Sequence, residues 1–447
     1  MIEKTNSYKS IYVFLISIVG YRLLLDYIYS NIISKTLSYE GYIFEPSSAM
    51  CFVSWIILLV SIILICPIVK HGTRKISEFV IFTLYVISYI PFTTMVYGGV
   101  FNISFVVANS LYWYLIIISE RFFASRKRRI KLKIGSGDII ISSKVISFIG
   151  LLMVALVLYI SFVYTHFRIN FNLFAVYEIR NQGYLNNLPT LIQYAFEWAK
   201  AVSPIFLAYC IYKKNIPQAA LYFVTLLFGA GIDGTKTTLF MPFFTALCVF
   251  FYNKIPKNRE ADYVSIGSVT LCLLALIENS IFKTNAIAYI GIRRMLFTPN
   301  MISSYYYDYF THNTPDYFRA SFLRHLGLVS PYTTGGKQLG EFIADRYYYR
   351  SGVNFNNGLI SDAITNMGML GIILMPIVLV LVLKLFDDCS NNINRNIVFS
   401  LAVYLVSSLI GSFITTMLLS HGLLVVLIVL SLFNKSSEFS NKDINTT

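Results

Sequence analysis

Long apolar runs separated by short polar segments occupy most of this chain. Each run is about 20 residues long, the length that an α-helix needs to cross a hydrocarbon core of roughly 30 Å. The pattern predicts an all-α polytopic membrane protein with about twelve transmembrane helices. These helices are predicted at residues 9–29, 48–69, 76–97, 100–120, 145–165, 189–212, 216–232, 236–253, 263–281, 358–384, 396–416 and 418–434.

One polar interval interrupts this pattern between the ninth and tenth predicted helices. Residues 282–357 are predicted to form a large outward loop within a single membrane domain that covers residues 1–447. The stretch 280–357 contains eight basic residues, four acidic residues and ten tyrosines. Packing inside a bilayer does not require so large a polar segment. We therefore expect this interval to bind an anionic, sugar-bearing ligand at the membrane surface.

Composition and charge narrow the class of protein further. The chain is 56% hydrophobic and 13% charged, whereas soluble proteins are about 25% charged. The net charge of +14 does not indicate nucleic-acid binding. The densest basic run, Arg126–Arg129, lies between two predicted helices, which is typical of the cytoplasmic side of a membrane protein. The six cysteines have no CxxC spacing, so neither a disulfide nor a metal site is predicted.

The distribution of lysine and arginine predicts the orientation in the membrane. If the N-terminus is cytoplasmic, most of the 36 basic residues fall in cytoplasmic segments, as the positive-inside rule requires. Both termini are then cytoplasmic. The interval 282–357 faces outward, because long loops are translocated regardless of their charge. In a bacterium, this orientation predicts the inner (plasma) membrane, with the large loop in the periplasm.

Two shorter outward segments carry candidate phosphate-binding residues. Arg168 and Arg180 lie between the fifth and sixth predicted helices; the alternative for this segment is a solvated loop on the membrane surface. Lys236 lies in the glycine-rich turn 229–238, whose backbone N–H groups at the start of a helix suit an anion. The alternative for this turn is a tight interhelical connection capped by Thr235.

The interval 282–357 carries further candidates for ligand binding. The adjacent Arg293 and Arg294 suit a diphosphate, because guanidinium groups bind phosphate oxygens bidentately and stay charged. Tyr306 and Tyr307 are candidates for sugar binding, because tyrosine rings stack on sugar faces and their hydroxyls form hydrogen bonds. Together these four residues predict a site for an anionic ligand that bears a sugar.

The same interval and the start of the tenth helix supply polar candidates. Asn354, Asn357 and Asp362 are predicted to bind sugar hydroxyls. His325 and Asp308 are the candidate catalytic bases. A histidine titrates near neutral pH, and Asp308 stands among four tyrosines, so we expect its carboxyl group to be partly buried. Residue spacing does not choose between these two bases.

Two sequence patterns resemble those of the bacterial O-antigen or repeat-unit polymerases (Wzy). The first is Arg293-Arg294-x4-Pro299 followed by Tyr306-Tyr307-Asp308-x-Phe310, and the second is Asn354-x-Asn356-x-Gly358-x3-Asp362-x3-Asn366-x-Gly368. The architecture also resembles that of the family over the whole chain, with about a dozen helices and one dominant outward loop late in the sequence.

The resemblance implies a glycosyltransferase reaction. Such polymerases transfer a glycan from undecaprenyl diphosphate to the end of another lipid-linked repeat unit, and undecaprenyl diphosphate leaves. The implied partners are undecaprenyl-diphosphate-linked oligosaccharides, membrane lipid and a chain-length regulator protein, with no nucleic acid. No cofactor is implied, and we expect the reaction to be independent of metal ions.

Three other functions compete with this prediction. The first is a flippase or exporter of lipid-linked oligosaccharides, although the chain lacks the repeated halves of many transporters. The second is a glycosyltransferase that adds one sugar from a polyprenyl-phosphate donor; its first outward loop often carries paired acidic residues, whereas this chain has only the separate Glu40 and Glu45 there. The third is an O-antigen ligase, which differs in its acceptor.

Overall fold

Every regular element that the computed structural model describes is a helix. The described residues are 2–73, 75–125, 142–169, 188–252, 254–256, 259–321, 323–333, 335, 337–348 and 353–434. The α-helices longer than one turn are α1 (Ile2–Ile28), α2 (Ser48–His71), α3 (Ile76–Leu84), α4 (Ile90–Tyr97), α5 (Ile103–Ser125), α6 (Ser143–Ile160), α7 (Thr190–Tyr212), α8 (Ile216–Asp233), α9 (Lys236–Tyr252), α10 (Glu260–Ile277), α11 (Thr298–His312), α12 (Leu339–Tyr347), α13 (Ile360–Cys389), α14 (Arg395–Gly411), α15 (Ile414–Leu419) and α16 (Leu423–Asn434).

Within these ranges, eight helical stretches are long and apolar enough to cross a membrane, judged by length and composition. They are Ser10–Glu40, Ser48–Lys70, Ile76–Tyr97, Ile103–Ala124, Lys144–Thr165, Ile216–Asp233, Glu260–Phe282 and Ile360–Cys389. Three of the other predicted helices, α9, α14 and α16, are shorter apolar helices of 10–17 residues. The remaining one, α7, carries Glu197 and Lys200. The all-helical fold is confirmed for the described residues, and eight of the predicted helices are long and apolar enough to span a membrane. The count of twelve and the orientation stay predictions.

The chain forms two compact units. The first unit comprises Met1–Arg128, Pro256–Leu383 and Val406–Ile414. The second unit comprises Arg129–Ile255, Lys384–Leu405 and Thr415–Thr447. Each unit therefore gathers segments that are distant in sequence, and each carries its own set of candidate residues.

The interval predicted as a large loop contains regular helices in the first unit. A π-helix, Ile287–Phe297, runs directly into α11, and α12 follows later in the interval. Pro299 lies in the first turn of α11, where its missing N–H is not needed. From Ser303 onward, the buried side chains of α11 recur every three or four residues, as in an amphipathic helix. The polar interval is thus folded around an aromatic face.

Helix α13 bends sharply near its start. Gly368 has φ 58° and ψ −146°, which is not a helical conformation and which L-residues rarely adopt. Beyond the bend, a methyl group on Gly371 would lie 2.0 Å from the backbone oxygen of Ala363. Only glycine therefore fits at position 371, and the two parts of α13 lie directly against each other.

Candidate functional site

Arg293 lies at the surface of the first unit and forms an ion pair that leaves one guanidinium nitrogen without a described hydrogen-bond partner. Its Nη1 donates to Glu40 Oε2 at 2.6 Å. Its Nε is buried and has no hydrogen-bond partner among the described residues. The guanidinium carbon lies 6.0 Å from the centre of the Tyr42 ring. The neighbouring Arg294 is exposed, so this π-helix presents two guanidinium groups.

The turn at Glu40–Tyr42 joins this arginine to α11. Gly41 has φ +90°, and a methyl group there would lie 3.2 Å from the Tyr305 hydroxyl. The Tyr42 hydroxyl and Thr298 Oγ1 are hydrogen-bonded at 2.8 Å. Burial raises the pKa of Tyr42 to about 12, so its hydroxyl stays protonated at physiological pH. Glycine at position 41 allows Glu40 to reach Arg293 while the turn stays in contact with α11.

Three aromatic rings form a stack beside this turn. The Tyr305 ring is nearly parallel to the ring of Tyr347, at a centroid distance of 4.8 Å, and to that of Phe355, at 5.8 Å. The Tyr347 hydroxyl donates to Asp308 Oδ2 at 2.6 Å. Burial and this hydrogen bond both raise the pKa of Tyr347, so the phenol remains a donor. The stack therefore ends in a carboxylate that is held in place by a neutral hydroxyl.

Asp308 is exposed, contrary to the expectation that the surrounding tyrosines would partly bury it. The structure turns the other predicted residues of this helix inward. Tyr306 is 1% exposed and its hydroxyl donates to the Phe355 backbone oxygen at 3.0 Å. Tyr307 is buried against Phe105. Neither ring is free to stack on a ligand in this arrangement, because both lie on the buried face of α11.

Asn354 and Asn357 are held by other parts of the first unit. The Asn354 amide donates to Gln338 Oε1 at 2.6 Å, and its carbonyl oxygen is buried without a partner among the described residues. The Asn357 amide donates to the Pro299 backbone oxygen and to the hydroxyl of Ser303, each at 2.9 Å. Asn357 is buried. It therefore fixes the start of α11, and its contact with a sugar stays a prediction.

Asp362 is fully buried and both of its oxygens are occupied. One accepts from the Ile414 backbone N–H at 2.7 Å and the other from the Asn366 amide at 2.6 Å. Asn366 Oδ1 in turn accepts from the Phe318 backbone N–H at 2.9 Å. These bonds tie α13 to two distant segments. In this structure Asp362 organises the first unit, and its predicted contact with sugar stays a prediction.

The remaining predicted residues are less fully described. Arg180 lies outside the described residues. His325 lies in the short 3₁₀-helix Leu323–Leu326, and Lys236 is the first residue of α9; the side chains of both lie outside the description. Arg168, in the second unit, is exposed. The predicted roles of these four residues stay predictions.

The glycine-rich turn 229–238 contains its own anion. Asp233 accepts hydrogen bonds from the Thr235 backbone N–H at 2.8 Å and from the Thr238 hydroxyl at 2.6 Å. Thr235 Oγ1 also accepts from the Thr238 N–H at 3.3 Å, as the residue that caps α9. The alternative of a capped interhelical turn therefore describes this segment, in which a side-chain carboxylate is hydrogen-bonded at the start of α9. The predicted contact of Lys236 with a phosphate stays a prediction.

Sequence reasoning missed Glu40, Tyr305 and Tyr347, which lie where the structure brings charge and aromatic surface together.

Among the described residues, no group of three or more His, Cys, Asp or Glu side chains is arranged to hold a metal ion. Comparison of the chain with protein-family models, with curated proteins and with solved structures finds no match.

Proposed function

We propose that this protein is a polymerase of lipid-linked repeat units for O-antigen or a related surface polysaccharide. It would transfer a glycan from undecaprenyl diphosphate to the end of another lipid-linked repeat unit at the outer face of the membrane. One observation carries the proposal: the Arg293–Arg294 pair lies in the same folded segment as the Tyr305–Tyr347–Phe355 stack and the exposed carboxylate of Asp308. Cationic, aromatic and acidic groups of this kind suit a diphosphate linked to a sugar.

The reaction breaks the bond between the anomeric carbon and the diphosphate oxygen, and it forms a bond from that carbon to an acceptor hydroxyl oxygen. The bond electrons leave with the diphosphate, which gains negative charge. Arg293 and Arg294 would stabilise that charge, and such electrostatic stabilisation is often the largest part of catalysis. We expect the reaction to proceed in the presence of a chelator, because the two guanidinium groups supply the positive charge.

The acceptor hydroxyl has to lose its proton as the new bond forms. Asp308 is exposed, and one of its oxygens is fixed by Tyr347. Its carboxylate is therefore accessible to a substrate. His325 remains the other candidate base, because a neutral imidazole is abundant near pH 7. Replacement of each residue in turn by alanine in the purified protein would assign the base, since loss of a base lowers turnover by about 10²-fold or more.

Deletion of the gene tests the proposal in cells. Cells that lack a polymerase still export single repeat units, so they should carry one repeat unit on their surface lipid and no long chains. The surface glycan, separated by size on a gel, gives the measurement. Absence of the single repeat unit would contradict the polymerase and support a block in export.

A flippase or exporter of lipid-linked oligosaccharides is the second candidate. The observation that favours it lies in the second unit, where Lys200 forms ion pairs with Glu197 and Asp233. Ionisable residues within membrane helices often mark transport pathways. An O-antigen ligase would use the same diphosphate chemistry with another acceptor, and its deletion would leave long chains on the lipid carrier.

A further inference from the structure

The second unit contains a compact cluster of charged and hydroxyl side chains, which we call the Lys200 cluster: Glu197, Lys200, Asp233, Thr235 and Thr238. Lys200 Nζ lies 2.7 Å from Glu197 Oε2 and 2.9 Å from Asp233 Oδ2. The hydroxyls of Thr235 and Thr238 donate to the same Asp233 oxygen at 2.9 and 2.6 Å. The cluster is thus preorganised by contacts among its own members.

The cluster joins the end of one helix to the middle of another. Asp233 is the last residue of α8, whereas Lys200 is ten residues beyond the start of α7, which corresponds to about 15 Å along that helix. Charged groups are costly in a helical membrane unit and usually serve a function there. Glu197 and Lys200 remain partly exposed, at 15% and 17%, so a ligand can reach the cluster.

A tight turn, residues 419–422, holds His421 beside Glu197. Trp198 Nε1 donates to the Leu419 backbone oxygen at 3.1 Å. The Tyr404 hydroxyl donates to the His421 backbone oxygen, also at 3.1 Å. Gly422 has φ +73°, and a methyl group there would lie 3.0 Å from Trp198 Cα. The turn is therefore fixed against α7. It brings His421 Nδ1 to 3.8 Å from Glu197 Oε2.

Tyr194 lies three residues before Glu197 on α7, so its aromatic ring and this carboxylate are neighbours on the helix surface. Tyr194 and Trp198 are four residues apart on α7, and their ring centres lie 6.4 Å from each other. Both side chains are partly exposed. The one lysine and two carboxylates of the Lys200 cluster carry a net charge of −1, which disfavours a phosphate. A neutral or amino sugar suits this combination, because its ring stacks on aromatic faces and its hydroxyls bind carboxylate and imidazole.

We propose that Glu197, Trp198 and His421 form a saccharide-binding site in the second unit. Its ligand is the glycan part of a substrate and not the diphosphate. The identity of that glycan, as the repeat unit of the lipid-linked substrate, rests on the proposed function. Glu197 and His421 bind hydroxyl groups, the Trp198 ring covers one face of a sugar, and Lys200 with Asp233 holds Glu197 in position.

Binding of a diphosphate-free glycan tests this site. The probe is the repeat-unit oligosaccharide released by mild acid from lipid-linked intermediates of the deletion cells, titrated calorimetrically into the full chain in lipid nanodiscs. We expect Glu197→Gln and His421→Ala each to weaken binding by about 10-fold or more, as loss of a good hydrogen bond to a charged or buried group does. Glu45→Gln, an exposed glutamate of the first unit, is the matched control and should bind as the wild type does.

The variants separate this proposal from the proposed function. Arg293→Ala should retain glycan binding within about twofold, because it removes a diphosphate ligand and not a sugar ligand. Should Glu197→Gln fail to fold, Trp198→Phe and His421→Ala carry the test. Wild-type protein that does not bind the glycan, or variants that bind it as tightly as the wild type, would overturn the saccharide site. Glycan binding in a protein that makes no polymer would overturn the polymerase and leave the site standing.

Discussion

At the scale of single residues, the arginine pair carries the most direct prediction. Arg293→Ala and Arg294→Ala should each lower polymer formation by about 10²-fold or more, because each removes a guanidinium from the leaving diphosphate. Lysine at either position should rescue activity only in part, since a point charge does not reproduce the bidentate fork. Polymer made from purified lipid-linked repeat units gives the measurement. Arg121, an exposed arginine of α5, provides the control variant Arg121→Ala. Full activity in both Arg293→Ala and Arg294→Ala would exclude the diphosphate role.

Glu40 permits a second residue-scale prediction, because its carboxylate accepts a hydrogen bond from Arg293 Nη1 at 2.6 Å. Glu40→Gln should lower turnover by about 10-fold if the carboxylate orients the guanidinium. The double variant Glu40→Gln/Arg293→Ala should then be no worse than Arg293→Ala alone, since contacting residues have non-additive effects. A fully additive double variant would show that Glu40 acts elsewhere.

The sequence predicted the residue types that lie together at this site better than their geometry. Arginine, tyrosine and aspartate were expected in the interval 282–357, and the structure brings Arg293 and the Glu40–Tyr42 turn together at α11. Tyr306 and Tyr307 were expected to face a sugar, but they face the core. The contact between Glu40 and Arg293 joins residues that are 253 positions apart, so no local sequence pattern predicts it.

At the scale of helices, the main difference from the sequence prediction is α11. This segment, rich in tyrosine, serine and asparagine, lies in the predicted outward loop 282–357, and no helix was predicted within it because its apolar periodicity is carried largely by tyrosines. The outward position of the interval stays a prediction. A helical reading of residues 298–312 places Tyr306 and Phe310 on one face and Tyr305 and Asp308 on another. That periodicity is the signal that would have separated buried from exposed tyrosines.

The bend in α13 yields a prediction about stability. Gly371→Ala should destabilise the protein by about 1–3 kcal/mol, the usual cost of overpacking, because its methyl group would meet the Ala363 oxygen. Gly267→Ala is the matched control, since no atom lies within 4 Å of the added methyl group and alanine favours a helix. Thermal unfolding of both variants in the same detergent gives the comparison. Equal midpoints would mean that the tight contact at Gly371 is absent.

At the scale of the whole molecule, the apolar pattern predicted a helical membrane protein because the period and length of its runs are set by the bilayer. Eight such helices are present in the described part. The division into two units was not visible in the sequence, because both units are built from discontinuous segments. Assembly of this kind depends on contacts between distant residues, such as the bond from Ser10 to Asp262.

The orientation predicted from basic residues is testable with single cysteines. In a variant without the six native cysteines, Lys337→Cys should react with a membrane-impermeant maleimide added to intact cells whose outer layers have been opened. Lys75→Cys should react only after the membrane is permeabilised, because positive residues favour the cytoplasmic side. Both positions are exposed. The reverse labelling pattern would overturn the orientation and, with it, the outward site.

The bond from the Ile414 backbone to Asp362 also has a consequence for biosynthesis. The two partners are 52 residues apart, and the chain between them includes a segment of the second unit, Lys384–Leu405. During translation, the Asp362 carboxylate therefore lacks this donor until residue 414 has been made. A ribosome that stops before that point leaves the first unit without its final segment and with a buried acceptor unmatched. Membrane quality-control proteases should consequently remove chains truncated after residue 405, although such chains still contain the arginine and tyrosine residues of the candidate site.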